Sequence, residues 1–314
     1  MTDSARATLQ VVVATVLFSF VGPLAKLLPM NAGAIAFWRS VLGIVALSSF
    51  ALTNRFRQRS CLARKKNLWH GQNAHRRVSL RHSILLLGTG LFTAGNWYFY
   101  VQAAKVSSVA VAVVVLFTYP LFISLMEPLI FRDRFRWINV GSGVFVLAGV
   151  MLITDRFSLA NTTTLGAMYA LVASLSFTAS SLTNRRFVRT YSATTVMLHQ
   201  MLTCSLVFAP AGWVTGWPGW RIFGLLILLG AGLTAISQTL YVASLRQLTS
   251  SHASILVSLQ PIYTTLIAIP MLHEVPELST LGGGALILGA VIGSIVTNSQ
   301  RRRRRGDAAG TESR

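Results

Sequence analysis

The sequence contains ten apolar runs, each of a length that can cross, or nearly cross, the hydrocarbon core of a membrane. A crossing helix needs about 20 predominantly apolar residues. The runs cover residues 8–28, 32–53, 83–104, 107–130, 137–154, 164–184, 194–214, 221–244, 250–272 and 278–298. They predict an all-α membrane protein with ten transmembrane helices.

Charged residues agree with this prediction in both number and placement. They make up 11% of the 314 residues, whereas a soluble domain carries about 25%. The net charge of +20 is compatible with nucleic-acid binding. However, the basic residues stand in the gaps between the apolar runs, which is typical of membrane topology. We therefore expect the lipid bilayer, and no nucleic acid, as a partner.

Lys and Arg also indicate the orientation, because cytoplasmic loops of membrane proteins are rich in them. With the N-terminus inside, the inner segments hold 23 of the 28 Lys and Arg residues. These segments are 1–7, 54–82, 131–136, 185–193, 245–249 and 299–314. We predict an integral protein of a bacterial inner membrane with both termini in the cytoplasm.

The loop 54–82 and the tail 299–314, which we expect to be disordered, are the most basic of these segments. They either bind anionic lipid headgroups, at about 1 kcal/mol per basic residue, or only determine the topology. The histidines of the loop and the two cysteines have no spacing typical of metal ligands. We expect no metal.

A stretch of the chain, residues 93–148, recurs at a shift of 141 residues. The matched pairs include Thr93 and Thr234, Tyr100 and Tyr241, Lys105 and Arg246, Asp133 and Glu274, Pro120 and Pro261, and Gly141 and Gly282. Each half, 8–154 and 164–298, then holds five runs, and an odd number of spans turns the second half over in the membrane. Inverted repeats of this kind are common in secondary transporters, with the substrate site between the halves. We predict two inverted five-helix repeats around a central cavity.

The second half ends in the pattern Tyr241-Val-Ala-Ser-Leu, Thr249-Ser-Ser, Gln260-Pro261, Glu274 and Gly282. Together with the ten runs in two halves, this pattern resembles the EamA branch of the drug/metabolite transporter superfamily. The resemblance covers residues 8–298 and implies a ten-helix exporter of small metabolites. The first half departs from the pattern at Asp133, where the family commonly has Glu. The resemblance leaves the substrate undetermined.

Two runs carry matching polar and aromatic residues on one helical face. The first stripe consists of Thr93, Asn96, Trp97 and Tyr100. The second stripe consists of Thr234, Ser237, Gln238 and Tyr241. Polar side chains persist in a bilayer where they face a bundle interior or a watery cavity. The stripes predict either the wall of a substrate cavity or hydrogen-bonded packing between helices.

The runs that contain Pro120 and Pro261 supply a second pair of faces. Tyr119, Gln260 and Tyr263 are predicted to line the cavity. Each proline removes a backbone hydrogen bond of its helix. The result is either a hinge for alternating access or a static kink.

Few charged or titratable residues lie inside the runs. Arg39 either holds a substrate carboxylate with two hydrogen bonds or extends outward as a packing residue. Glu127 either relays protons or pairs with the nearby Arg132. His252 titrates in a range suited to proton coupling.

The remaining motifs argue against an enzyme. The chain has no phosphate-binding loop, no metal-ligand spacing and no evident nucleophile–base set. We predict a secondary active transporter without a cofactor, which exports small metabolites such as amino acids or amphipathic drug-like compounds by alternating access. The alternative is a non-transporting multi-span receptor or scaffold.

Overall fold

A computed structural model describes residues 3–62, 79–131, 137–154, 161–248, 253, 256–290 and 292–293. The first part contains α1 (Asp3–Ser19), α2 (Val21–Leu27), α3 (Ala32–Leu62), α4 (Leu80–Val106), α5 (Val109–Leu116), α6 (Tyr119–Phe131) and α7 (Trp137–Thr154). The second contains α8 (Thr162–Phe187), α9 (Ala193–Val207), α10 (Ala209–Thr215), α11 (Trp220–Ile227), a π-helical segment (Leu228–Ala235), α12 (Ile236–Ser244), α13 (Gln260–Leu272) and α14 (Leu278–Ala290). All regular structure in these ranges is helical.

Six helical stretches are long and apolar enough to cross a membrane. They are Ala5–Leu27, Ala32–Thr53, Leu80–Val106, Val109–Ile130, Thr162–Phe187 and Trp220–Ser244. A seventh span results if α9 and α10, which meet at an angle of 56°, are counted together. The other three predicted runs contain shorter apolar helices within the described residues, so this part of the chain supports six or seven of the ten predicted spans.

The third helix is longer than the apolar run from which it was predicted. α3 continues past residue 53 to Leu62, into the segment predicted as a basic loop. Residues 54–62 contain no proline or glycine that would end the helix. The predicted loop residues 63–78, the tail 299–314, Arg132, Asp133 and His252 lie outside the described residues.

Both halves interrupt a helix immediately before the repeated proline. α5 ends at Leu116 and α6 begins at Tyr119, with a turn between them. In the second half, a turn at 258–259 precedes α13. The missing amide donors of Pro120 and Pro261 account for a break at the same place in each copy.

The helices of the two halves pack against one another. α4 lies along α8 and α9, α3 lies along α9 and the π-helical segment, and α1 lies along α12. Small residues permit close contact, since Gly230 rests against the backbone of Arg39. Large apolar side chains such as Leu91, Val144 and Leu206 remain exposed on the outer faces of the bundle. Such exposure suits a surface that lies in lipid.

Candidate substrate cavity

A cavity lies between the two halves of the bundle, and both halves contribute to its wall. It is lined by Phe18, Val21, Arg39, Asn96, Trp97, Tyr100, Leu116, Phe117, Tyr119, Phe177, Gln238, Val257 and Gln260. The polar members of this lining belong to apolar helices, where a polar side chain must face protein or water. The cavity therefore brings together polar groups from both halves of the bundle.

The cavity contains seven of the nine residues predicted to line it. These seven are Arg39, Asn96, Trp97, Tyr100, Tyr119, Gln238 and Gln260. Tyr241 is buried directly behind the wall, where its ring contacts those of Phe18 and Phe177. Tyr263 lies elsewhere, because its position on α13 leaves 41% of it exposed at the surface of the bundle.

Arg39 is held inside the cavity and does not extend outward. The residue is 2% exposed. Its Nε donates a hydrogen bond of 2.6 Å to Oγ1 of Thr234, and the guanidinium carbon lies 4.1 Å from the centre of the Trp97 ring. The hydrogen bond fixes the Nε edge of the guanidinium group, and the cation–π contact covers one of its faces.

The π-helical segment places Thr234 where it can accept this hydrogen bond. Thr234 donates its own hydroxyl proton to the carbonyl of Leu229 at 2.6 Å, five residues earlier. Gly230 allows the segment to approach α3 closely, since a Cβ at this position would lie 2.8 Å from the Arg39 carbonyl oxygen. π-Helical turns within α-helices are often found at functional sites.

Aromatic rings form the apolar part of the wall. Tyr119 lies between Phe117 and Phe177, at centroid distances of 5.1 Å and 4.5 Å. Phe177 also contacts Tyr241 at 5.7 Å. These distances are typical of packed aromatic pairs, which add to the free energy of area burial. The wall can therefore bind an apolar or aromatic body of a small molecule.

Several hydrogen-bond donors of the wall are buried without a described partner. They are Nε1 of Trp97 and the hydroxyl groups of Tyr100 and Tyr119. A buried polar group that has no partner costs about 1–3 kcal/mol. Each of these three groups is thus available for a hydrogen bond to a ligand or to water.

The free space in this conformation is small. The cavity volume is about 50 Å³, which is room for a few water molecules, since one water needs about 10–15 Å³. A metabolite therefore requires the surrounding helices to move apart.

At one end of the bundle, Lys26 forms an ion pair with Glu274. Lys26 also donates to the carbonyl of Ser107 at 2.6 Å, and Glu274 accepts a hydrogen bond of 3.1 Å from the amide of Val109. These contacts join the end of α2 and the start of α5 to the segment between α13 and α14. We call this region the Lys26 end.

The opposite end carries a second ion pair, between Glu127 of α6 and Arg185 of α8. Val109 and Glu127 lie near opposite ends of one span-length stretch, Val109–Ile130, so the two ion pairs stand on opposite sides of the cavity. The predicted partner of Glu127, Arg132, lies outside the described residues. We call this region the Glu127 end.

Sequence reasoning missed part of the site. Phe18, Phe117 and Phe177 are apolar residues in apolar runs, so no pattern distinguished them from lipid-facing residues. A weak signal did exist for Phe177, because Ser176-Phe177 repeats Ser19-Phe20 at a shift of 157 residues. The Lys26–Glu274 pair was missed because its partners are far apart in the chain.

Comparison with known proteins identifies the family. Residues 5–155 and 164–296 each match the EamA-like transporter family. The chain belongs to this family. Its two matches are the two halves whose residues meet at the cavity, and the family is one of membrane transporters.

A solved structure titled "Crystal structure of protein" shows the same fold. The alignment covers 95% of this chain and 100% of that one, with a TM-score of 0.67 and 20% sequence identity. At this identity the likeness concerns the fold alone. The search of the curated proteins found no match to this chain.

Proposed function

We propose that this protein is a secondary active transporter that exports small metabolites, such as amino acids or amphipathic drug-like compounds, by alternating access. The cavity between the halves is the observation that carries this proposal. Polar and aromatic side chains of both family matches meet there, including Asn96, Trp97 and Tyr100 from one match and Gln238 and Gln260 from the other. A protein that only binds a partner at the membrane surface does not need such a wall.

The proposed architecture has ten spans arranged as two inverted five-helix repeats, with both termini in the cytoplasm. Matched local features support it. Besides the helix breaks before Pro120 and Pro261, the equivalent residues Lys105 and Arg246 have equivalent roles. Lys105 donates to the carbonyl of Leu28 at 2.8 Å, and Arg246 donates to that of Val188 at 2.8 Å. In each half, a basic residue near the end of the third span therefore binds a backbone carbonyl that follows the first span.

Alternating access is supported by the ion pairs at the two ends. Lys26–Glu274 and Glu127–Arg185 each join the first half to the second. Because the cavity is too small for a metabolite in this conformation, we expect one pair to separate for the substrate to enter and the other for it to leave. The breaks before Pro120 and Pro261 are suitable hinges for these movements.

Glu127 is the described acidic residue best placed to couple this movement to protons. Its ion pair with Arg185 links the two halves at this end of the bundle. In the predicted orientation, the Glu127 end faces the cytoplasm and the Lys26 end faces outward. A coupling role for His252 and lipid binding by the basic loop and tail stay predictions.

Efflux from cells and uptake into proteoliposomes test the proposal. The medium around cells with and without the protein is compared for accumulated metabolites, and the solutes found are then assayed with purified protein. Tyr100→Ala and Gln238→Ala should each reduce transport by about tenfold or more, because each removes a wall contact worth about 1.5 kcal/mol. The amount of protein in the membrane should not change.

Leu91→Ala and Ile236→Ala are matched controls, because both residues lie on the same helices but are more than half exposed on the bundle surface. They should transport at the wild-type rate. Wild-type transport by Tyr100→Ala and Gln238→Ala would remove the cavity from the transport path. An unchanged medium with and without the protein would favour a receptor or scaffold instead.

A further inference from the structure

We infer that the substrate is an organic anion whose carboxylate binds Arg39, with an apolar body and no cationic group. This inference rests on the proposed function and narrows its substrate class, because it favours carboxylates without an ammonium group over amino acids. Three independent features carry it: an uncompensated cation, buried polar groups without a described partner and an aromatic wall.

The positive charge of Arg39 has no acidic partner among the described residues. Glu127 pairs with Arg185 at one end of the bundle, and Glu274 pairs with Lys26 at the other. No acidic residue lines the cavity. A buried charge without an opposite charge beside it is unfavourable, and the contact with the Trp97 ring offsets only part of this cost. An anionic ligand would supply the missing charge.

The orientation of Arg39 suits a carboxylate in particular. Nε of Arg39 donates its hydrogen bond to Thr234, and the Trp97 ring covers one face of the guanidinium plane. The hydrogen bond to Thr234 uses Nε, so the two terminal Nη groups are the remaining donors of this side chain. These groups present parallel N–H donors, which match the two oxygens of a carboxylate.

The other polar groups of the wall can each donate a hydrogen bond, and all except Trp97 can also accept one. Nε1 of Trp97 can only donate, and the hydroxyl groups of Tyr100 and Tyr119 are buried without a described partner. The amides of Gln238 and Gln260 can donate or accept, so they fit a hydroxyl or carbonyl group elsewhere on the ligand. No carboxylate is present in the wall to hold an ammonium group.

The apolar part of the wall indicates which chemical groups the ligand carries besides its carboxylate. Phe117, Tyr119 and Phe177 form a continuous aromatic surface. An arylalkyl or branched alkyl chain would bury its area there. The inferred substrate is therefore an amphipathic monocarboxylate.

Four solutes with one common skeleton test the inference. They are 3-phenylpropanoate, 3-phenylpropanamide, 3-phenylpropylammonium and L-phenylalanine, which differ in charge but little in shape. Binding to the purified protein is measured by titration calorimetry, and transport by counterflow in proteoliposomes. The propanoate should bind about tenfold or more tighter than the amide, because a hydrogen bond to a charged group contributes about 1.5–3 kcal/mol. The zwitterion should bind more weakly than the propanoate, and the ammonium compound most weakly.

Arg39→Gln should abolish the preference for the propanoate while the amide still binds, and retained amide binding shows that the variant is folded. Arg39→Lys should keep part of the preference, because it retains the charge but loses the paired donors. Arg221→Gln is the control, since Arg221 is exposed and does not line the cavity.

Equal binding of propanoate and amide, or no binding of any of the four, would overturn the inference. So would an Arg39→Gln variant that still prefers the propanoate. Transport of the amide or the zwitterion, or of another solute when none of these four binds, would leave the proposed function intact. Tight binding of propanoate without any counterflow would contradict transport and support the anion site.

Discussion

The first and second stripes have equivalent positions in the repeat but different local structure. The first stripe lies on α4, which is regularly α-helical for 27 residues. The second stripe begins in the π-helical segment Leu228–Ala235 and continues on α12. The residues of α4 that match the π-helical segment, 87–94, show no such change. The sequence repeat therefore produces the polar face twice, but only the second copy contains a π-helical segment.

The partners of the two stripes differ accordingly. In the first stripe, Thr93 shares a hydrogen bond of 2.8 Å with Ser180 of α8. Its equivalent, Thr234, binds Arg39. The first threonine therefore joins helices, whereas the second orients a charged group of the cavity. The stripes had two interpretations, packing between helices and lining of the cavity. Thr93 fits the first interpretation, and Thr234 fits the second.

The largest effect is expected at Gly230, whose counterpart in the first half is Thr89. Gly230→Ala should lower the free energy of unfolding by about 3 kcal/mol, because the new methyl group would meet the Arg39 backbone, which cannot move aside easily. Thermal unfolding in detergent measures this effect. Gly224→Ala is the control, since a Cβ there meets nothing within 4 Å. Equal midpoints for the two variants would contradict the close approach of α3 and the π-helical segment.

A smaller difference is expected between Thr234→Val and Thr93→Val. Thr234→Val deprives the buried guanidinium of a hydrogen-bond acceptor, at a cost of about 2 kcal/mol. We expect its transport rate to fall by about tenfold, and that of Thr93→Val by less than about twofold, because Ser180 keeps a second contact with Asn184. Counterflow by both variants, normalised to folded protein, measures the difference. Equal losses would mean that the two threonines have the same role.

The smallest effect separates the two tyrosines of the stripes. Tyr241→Phe loses the hydrogen bond of 2.9 Å to Ser181 and should lower the free energy of unfolding by about 1 kcal/mol. Tyr100→Phe loses a hydroxyl without a described partner, so its stability should not fall, while its affinity for the transported solute should. Thermal unfolding and solute titration are compared for both. A destabilised Tyr100→Phe would show that its hydroxyl contributes to folding.

Much of the site could be predicted from the chain. Because lipid excludes polar groups and helices repeat every 3.6 residues, polar residues at spacings of three and four had to face one interior. This reasoning placed Asn96, Trp97, Tyr100 and Gln238 on a common wall. It was wrong in its placement of Tyr263, which follows the helical period from Gln260 but lies on the exposed side of α13.

The sequence by itself determined the helical membrane fold, the division into two related halves and the faces that carry polar groups. These properties depend on composition and on spacing along one helix. The tertiary structure decided that Arg39 meets Thr234, 195 residues away, that Glu127 pairs with Arg185 and that one copy of the stripe starts in a π-helical turn. Such contacts depend on which helices are neighbours and on how closely a glycine such as Gly230 lets them approach. Neither property can be predicted from the spacing of residues along one helix.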